Sequence, residues 1–388
     1  MRFEEYRKHD AVSLAGLIAK REVSAEEVLE TAITRAEHIN PAINAIVHKQ
    51  YEQARKAVAA GLPAGPLQGV PYLIKDLGFF ETGQPATFGS SLFKDFVADH
   101  DTAYVMRCKK AGLVFMGRSS SPEFGLNPNT EPRLYGSCHN PWDLEYSPGG
   151  SSGRAAAAVS AGILPAAHAT DGGGSIRIPA AQCGLFGLKP SRGRVSMAPD
   201  AGEGWGGLST GHVVSRSVRD SALMLDCTAG PEPGDPYAAP VNERPFLEAI
   251  AEPPRRLKIA LMLEDHRGAK LHPECLEAVQ TAAKLCADSS RVWPVHLARS
   301  SNWKCDLVRA LTSLSEEQRT AVLMIDLAKG DYYEAASACK VPVGTIRSRL
   351  SRGRKTLRAL MSVAPLEPGV AARSAKTASK TLGHHHVS

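Results

Sequence analysis

The sequence lacks the segments that would take the chain out of the cell or into a membrane. Its N-terminus has no apolar signal-peptide core. The alanine-rich run 155–169 is broken by Gly162 and Pro165, so it is too short to span a bilayer and predicts a buried helix. The eight cysteines include no Cys-x-x-Cys pair, which argues against zinc. We therefore expect a cytoplasmic protein with reduced thiols and without membrane association, metal or cofactor.

A large excess of charge is also missing from most of the chain. The 388 residues carry a net charge of +6. Residues 301–388 contain 14 basic and 7 acidic side chains, whereas residues 1–300 contain 32 basic and 33 acidic side chains. The first three quarters therefore need no polyanionic partner, and the basic last quarter is the segment where such a partner is expected.

The first 288 residues have the alternating helix and strand patterns of a layered α/β domain. Ser24 stands three residues before Glu27, which predicts a capped helix over 25–37. The apolar segment 70–77 predicts a buried strand. Further along, helix signals begin near Val105 and Pro273, and strand signals cover 112–116 and 257–262. The periodicity fails over 289–304, which we interpret as a junction.

Three short motifs in order carry the residues for amide hydrolysis. Lys75 lies in the apolar strand, where burial would lower its pKa toward that of a base. Ser151 lies in the run Ser147-Pro-Gly-Gly-Ser-Ser-Gly, and Ser175 follows Asp171-Gly-Gly-Gly. Glycine backbones can approach a substrate closely, so the N–H groups of Gly172, Gly173, Gly174 and Ser175 are candidates for an oxyanion hole. Each motif alone is compatible with a flexible loop, but their ordered co-occurrence favours a catalytic origin.

Over about residues 5–285 these motifs resemble the amidase signature family, and within it the branch that includes 6-aminohexanoate cyclic-dimer hydrolase. The phrases Ala166-Ala-His-Ala-Thr-Asp and Ala181-Gln-Cys-Gly support that branch. The resemblance implies that Lys75 is the base, that Ser151 follows a cis peptide bond and relays a proton, and that Ser175 is acylated. It also implies a structural Arg177. Asn127 is equally compatible with a contact to the substrate amide and with a loop cap.

The chain departs from the family pattern at two points. Arg154 replaces the second glycine of the usual Gly-Gly-Ser-Ser-Gly-Gly, which would cost about 1 kcal/mol or more if that position needs a positive φ. The family pattern also continues well beyond residue 300, whereas this chain changes character there. We therefore expect a C-terminally truncated mixed sheet with an exposed edge, reduced stability and activity, and a homodimer or aggregation through that edge.

The segment 305–363 predicts an all-α module. Ser315 is a candidate N-cap, 331–339 is a short helix, and 345–358 is a basic helix after a turn at 341–344. This helix-turn-helix resembles region four of extracytoplasmic-function sigma factors. The resemblance implies duplex DNA as partner, contacted by Thr345, Arg347, Arg349 and Arg352, although a solvated basic helix without a partner is the plainer interpretation. The final segment, 364–388, is predicted to be a disordered tail.

The leading hypothesis is an amide hydrolase that acts on a linear or cyclic small-molecule amide with a Ser-Ser-Lys unit. A DNA-binding transcription protein is the alternative. A non-functional gene-fusion product is the third interpretation, and sequence patterns do not separate it from the other two.

Overall fold

The computed structural model describes residues 1–252, 259–263, 271–288, 296–297, 311–327 and 330–361. These residues fall into two compact units, Met1–Pro253 and Pro254–Ser388. The predicted junction and tail lie almost entirely outside the described residues; only 296–297 of the junction belong to them.

The first unit alternates helices and short strands. Its helices are α1 Phe3–Tyr6, α2 Ala11–Ala19, α3 Ala25–Ile43, α4 Tyr51–Ala60, α5 Ala103–Lys110, α6 Gly153–Ser160, α7 Arg177–Gln182, α8 Val218–Thr228 and α9 Phe246–Ala249. Its strands are β1 His48–Lys49, β2 Pro71–Lys75, β3 Val114–Ser119, β4 Ala166–Asp171, β5 Phe186–Gly187 and β6 Thr210–Ser215. The capping box is confirmed, since Ser24 Oγ accepts from the N–H of Glu27 while the Glu27 carboxylate accepts from the N–H of Ser24.

The strands form two small sheets around one core. One has the order β1-β3-β2, with β2 and β3 parallel, and the other has the antiparallel order β4-β6-β5. The predicted strands of the first unit are confirmed, and β2 is buried at every position. Strands β2 and β4 belong to different sheets but lie next to each other in the core. Lys75 is the last residue of β2 and Asp171 is the last residue of β4.

The alanine-rich run is not the single buried helix that its composition predicted. Helix α6 ends at Ser160. The chain then turns at Gly162, whose φ is 75°, and at Pro165, and it continues as the buried strand β4. The strand forms because each residue from Ala166 to Asp171 pairs with β6. Tertiary pairing has overridden the helix preference of alanine.

Arg154 does not carry the backbone strain that its substitution for glycine suggested. It lies in the first turn of α6, an ordinary helical position, and its φ is not positive. The fully buried guanidinium instead donates to the carbonyl oxygen of Gly136 at 2.6 Å and to that of Asn44. Burial lowers the pKa of Arg154 from its ordinary value. The arginine thus ties the start of α6 to two loops.

The second unit contains a short parallel strand pair and a helical cluster. Its elements are β7 Ala260–Leu261, α10 Pro273–Asp288, β8 His296–Leu297, α11 Glu316–Val322 with a π-helical turn Leu323–Leu327, α12 Tyr332–Cys339 and α13 Val343–Met361. Leu314, Ala321, Val322, Ile346 and Leu350 form the core of the cluster. The predicted basic helix is confirmed, and its N-terminus comes two residues earlier than the sequence indicated because Val343 and Gly344 join it.

Candidate active site

Lys75 is held by three hydroxyl groups in the interior of the first unit. Its Nζ lies 2.9 Å from Ser151 Oγ, 2.9 Å from Ser152 Oγ and 2.8 Å from Thr170 Oγ1. The side chain is fully buried, and burial lowers the pKa of Lys75 to about 7, against the opposing effect of the Asp171 and Asp76 carboxylates. At neutral pH a substantial fraction of this amine is therefore unprotonated and able to accept a proton.

Ser151 lies in a loop that the glycines of the motif allow to fold tightly. The peptide bond between Gly150 and Ser151 is cis, as the family resemblance implies, and Gly149 has a φ of 80°. The next residue, Ser152, donates its N–H to the carbonyl oxygen of Ser175 at 3.2 Å. This bond joins the two serine loops directly, so Lys75 and Ser151 lie at the loop that carries Ser175.

The loop of Ser175 is organised by the carboxylate of Asp171. Oδ1 accepts from the N–H of Gly174 at 2.8 Å, and Oδ2 accepts from the N–H of Ile176 at 3.2 Å. Arg177 donates to both oxygens, each at 2.9 Å, in the bidentate pair expected of a structural arginine. Burial raises the pKa of Asp171, but these hydrogen bonds outweigh it and keep the pKa below its ordinary value.

The glycine loop differs from the predicted oxyanion hole at Gly174. Because the Gly174 N–H already donates to Asp171, it is not free to bind a developing oxyanion. Gly174 is nevertheless required as glycine, since its φ is 128° and an added Cβ would lie 2.8 Å from Ile178 Cδ1. No acceptor for the N–H groups of Gly172 and Gly173 is found within the described ranges. Ser175 itself is partly exposed.

Asn127 acts as a loop cap at its side-chain oxygen. Oδ1 accepts from the N–H of Asn129 at 2.9 Å, while the residue as a whole is exposed. The backbone carbonyl oxygen of Asn127 lies close to Gly150, since a Cβ added to Gly150 would be only 2.8 Å from it. The capping hydrogen bond is thus present, and the contact of Asn127 with the substrate amide stays a prediction.

Three further residues around Lys75 were not predicted from the sequence. Ser152 and Thr170 contact its ammonium, and His168 Nδ1 accepts from its backbone N–H at 3.1 Å. His168 and Thr170 are two residues apart on β4, so their side chains lie on the same face of the strand, the face toward β2. Burial, and then the charges of Lys75 and Arg118, hold the pKa of His168 well below its ordinary value. A neutral histidine thus supports the lysine main chain without competing for its proton.

The predicted DNA-contacting residues on α13 do not share one face. At about 100° per residue, Thr345, Arg349 and Arg352 lie within about 60° of one another. Arg347 points about 140° away from Arg352, and its guanidinium lies 5.4 Å from the Tyr332 ring centroid on α12. Arg352 is exposed, and its Nε donates to the Ser348 carbonyl at 3.3 Å.

In the part of the chain that the structure describes, no helix is long and apolar enough to cross a bilayer. The same residues contain no group of three or more His, Cys, Asp or Glu side chains arranged to hold a metal ion.

The amidase family model matches residues 27–327, and the chain belongs to this family. The sigma-70 region 4 model matches residues 306–357. The 6-aminohexanoate-cyclic-dimer hydrolase of Paenarthrobacter ureafaciens is 41% identical over 284 residues, which are 72% of this chain and 57% of that protein. An acylamidase of Rhodococcus erythropolis is 38% identical over 294 residues, covering 73% of this chain and 61% of that protein.

Solved structures show the same fold. A 6-aminohexanoate cyclic dimer hydrolase is 34% identical with a TM-score of 0.70, covering 91% of this chain and 74% of that chain. A bacterial aryl acylamidase of the amidase signature family is 29% identical with a TM-score of 0.69, covering 91% and 76%. The chain therefore has the amidase signature fold, with helices at its C-terminus. It spans little more than half the length of the hydrolase relative that it matches by sequence.

Proposed function

We propose that the first unit hydrolyses amide bonds through an acyl-enzyme on Ser175, with Ser151 and Lys75 as the proton relay. One observation carries the proposal: a fully buried lysine lies 2.9 Å from Ser151, and the adjoining residue is hydrogen-bonded to Ser175. The amine has no carboxylate at hydrogen-bonding distance among the described residues, so its environment suits a base better than a salt bridge.

In the acylation step, neutral Lys75 takes the Ser151 hydroxyl proton while Ser151 takes the proton of Ser175. Oγ of Ser175 forms a bond to the carbonyl carbon, and the carbonyl π electrons move onto the oxygen. The N–H groups of Gly172 and Gly173 then stabilise that oxyanion. As the carbon–nitrogen bond breaks, the proton held on Lys75 returns through Ser151 to the leaving amine.

In the second step, water attacks the Ser175 ester and loses its proton through the same relay. The carboxylic acid leaves and the Ser175 hydroxyl is restored. The substrate class that we propose is a small linear or cyclic amide, because one sequence relative is named as the hydrolase of a cyclic dimer and another as an acylamidase. The sequence patterns extend the predicted hydrolase domain to residue 288, whereas all the residues of the proposed relay lie in the first unit, which ends at Pro253.

The test is covalent labelling of the full chain with a serine-reactive fluorophosphonate, followed by intact-mass measurement and peptide mapping. One adduct on Ser175 is expected, together with hydrolysis of a small amide. Ser175→Ala should abolish both. Ser191→Ala, an exposed serine outside the site, is the matched control and should change neither. An unlabelled parent chain, or label that persists in Ser175→Ala, would contradict the proposal.

We also propose that residues 305–363 of the second unit form a helix-turn-helix that binds duplex DNA and that follows the predicted junction 289–304 along the chain. The match to sigma-70 region 4 and the exposed Arg352 on the outer face of α13 support this second function. Arg349 is the neighbouring contact residue, whereas Arg347 is engaged with Tyr332. Its test is titration of duplex DNA at two salt concentrations with variants on the two sides of α13.

A further inference from the structure

An aromatic side chain lies against the glycine loop beside Ser175. The indole of Trp205 approaches Gly172 so closely that an added Cβ there would lie 2.9 Å from Cε3 and 3.3 Å from Cζ3. A Cβ on Gly173 would lie 3.7 Å from Cζ3. The close approach of the ring therefore requires glycine at position 172, independently of any need to bind an oxyanion.

Trp205 remains open to solvent although it packs on this loop. Its side chain is 57% exposed, and its φ of 54° places it in the left-handed region that bulky residues rarely adopt. Backbone conformations of this kind cluster at ligand-binding sites, because surrounding contacts must hold them. One ring face or edge thus remains available next to the residues that would meet the reacting carbonyl.

A second exposed aromatic residue, Phe124, precedes a glycine that lies against Ser151. Phe124 also has a φ of 54° and is 42% exposed. The adjoining Gly125 lies against Ser151, where an added Cβ would be 3.2 Å from Oγ. Behind Phe124, the rings of Phe88 and Phe93 have centroids 6.3 and 5.9 Å from its own. An exposed aromatic ring therefore packs on the Ser175 loop, and a second exposed aromatic residue adjoins the glycine that lies against Ser151.

The charged groups of the glycine loop itself are paired or buried. Asp171 and Arg177 form a bidentate pair with each other, and Lys75 is buried beneath the hydroxyl groups. A charged substrate group beside Trp205 would find no opposite charge in that loop. An uncharged aromatic or other apolar group would gain contact with the indole instead.

We propose that Trp205 is a specificity-determining residue that packs against an uncharged aromatic or apolar substituent next to the scissile amide. The inference rests on the proposed function of Ser175 and deepens it by naming the chemistry of the preferred substrate. Because Gly172 has no side chain, both the Trp205 ring and the carbonyl oxygen of the substrate can approach this loop closely.

The experiment compares two fluorophosphonates that differ only in a phenyl or a methyl substituent. The parent chain should be labelled faster by the phenyl probe. Trp205→Ala should reduce the phenyl-to-methyl rate ratio by about threefold to tenfold, the range that one aromatic pair provides. Trp205→Phe should retain most of the ratio. Trp142→Phe changes an exposed tryptophan whose indole N–H donates to the Cys183 carbonyl, whereas Trp205 packs on Gly172, so this control should leave the ratio unchanged. An unaltered ratio in Trp205→Ala would overturn the inference.

A second measurement does not require turnover or labelling. In Ser175→Ala, titration with a non-hydrolysed aryl amide should quench tryptophan fluorescence, and the quenching should disappear in Ser175→Ala/Trp205→Phe. If the parent is not labelled by either probe, the proposed hydrolase function fails, and this titration alone decides whether Trp205 binds the aryl group. Quenching that survives the double substitution would refute the role of Trp205.

Discussion

Lys75 in the first unit and Arg352 in the second are both basic residues, but they occupy opposite environments. The ammonium of Lys75 is fully buried among three hydroxyl groups, whereas the guanidinium of Arg352 is exposed on α13. Burial lowers the pKa of Lys75 to about 7, so this amine is suited to the proton transfer that we propose for it. The planar guanidinium of an exposed arginine is suited to bind anions such as phosphate.

The comparison shows that a basic residue acquires a function through its solvation more than through its charge. Removing a lysine from water makes its neutral form accessible, which the hydrolase proposal requires. Keeping an arginine in water preserves long-range attraction to phosphate, which the DNA proposal requires. We therefore expect amide hydrolysis by the first unit to depend mainly on pH, and DNA binding by the second unit to depend mainly on salt concentration.

The largest effect is expected when the buried amine is removed. Lys75→Met should lower kcat/KM for amide hydrolysis by at least about a hundredfold, because the relay loses its base. Lys355→Met, which removes an exposed lysine from α13, is the control and should leave hydrolysis unchanged. Steady-state kinetics measure both. Equal rates for Lys75→Met and the parent would show that Lys75 is not the base.

The next effect concerns pH. Since burial lowers the pKa of Lys75 to about 7, the neutral base is lost as pH falls through that value. We expect kcat/KM to decrease about tenfold per pH unit below about pH 6 and to level off above about pH 8. Measuring kcat/KM against pH at constant ionic strength tests this decrease. A profile that is flat from pH 5 to pH 8 would contradict a titrating lysine.

A smaller effect is expected from the histidine that supports the lysine backbone. His168→Leu leaves the buried N–H of Lys75 without its acceptor, which should reduce the free energy of unfolding by about 1–3 kcal/mol. His168→Asn retains an acceptor near the position of Nδ1 and should recover part of the loss. Urea unfolding of the two variants measures the difference. Equal destabilisation by leucine and asparagine would mean that the hydrogen bond is not the cause.

The smallest effect is expected at single arginines of the helical unit. Arg352→Ala should weaken duplex DNA binding by a few fold and reduce the slope of log affinity against log salt by about 0.9, the value of one phosphate contact. Arg354→Ala is the control, because Arg354 already forms an ion pair with Asp326. Fluorescence anisotropy at several salt concentrations measures both variants. An unchanged salt slope in Arg352→Ala would exclude a phosphate contact there.

Much of the site could be predicted because its chemistry depends on local motifs. Glycines around Ser151 and before Ser175 indicate tight loops, and an apolar segment around Lys75 indicates a buried strand. The role of Arg177 was also predictable, since its partner Asp171 is only six residues away. The strand that follows α6 was not, because alanine and valine runs fit a helix or a strand until their neighbours are known.

Local motifs were enough to predict the candidate catalytic residues and the order of the elements that hold them. How these residues meet depends on the tertiary structure. Lys75 reaches Ser151 across 76 residues, and His168 reaches the Lys75 backbone across 93 residues. The tertiary structure also brought Arg347 against the ring of Tyr332 and placed Trp205 against Gly172. These contacts come from packing between distant strands, helices and loops, and close packing is a property of the whole folded unit that no local pattern encodes.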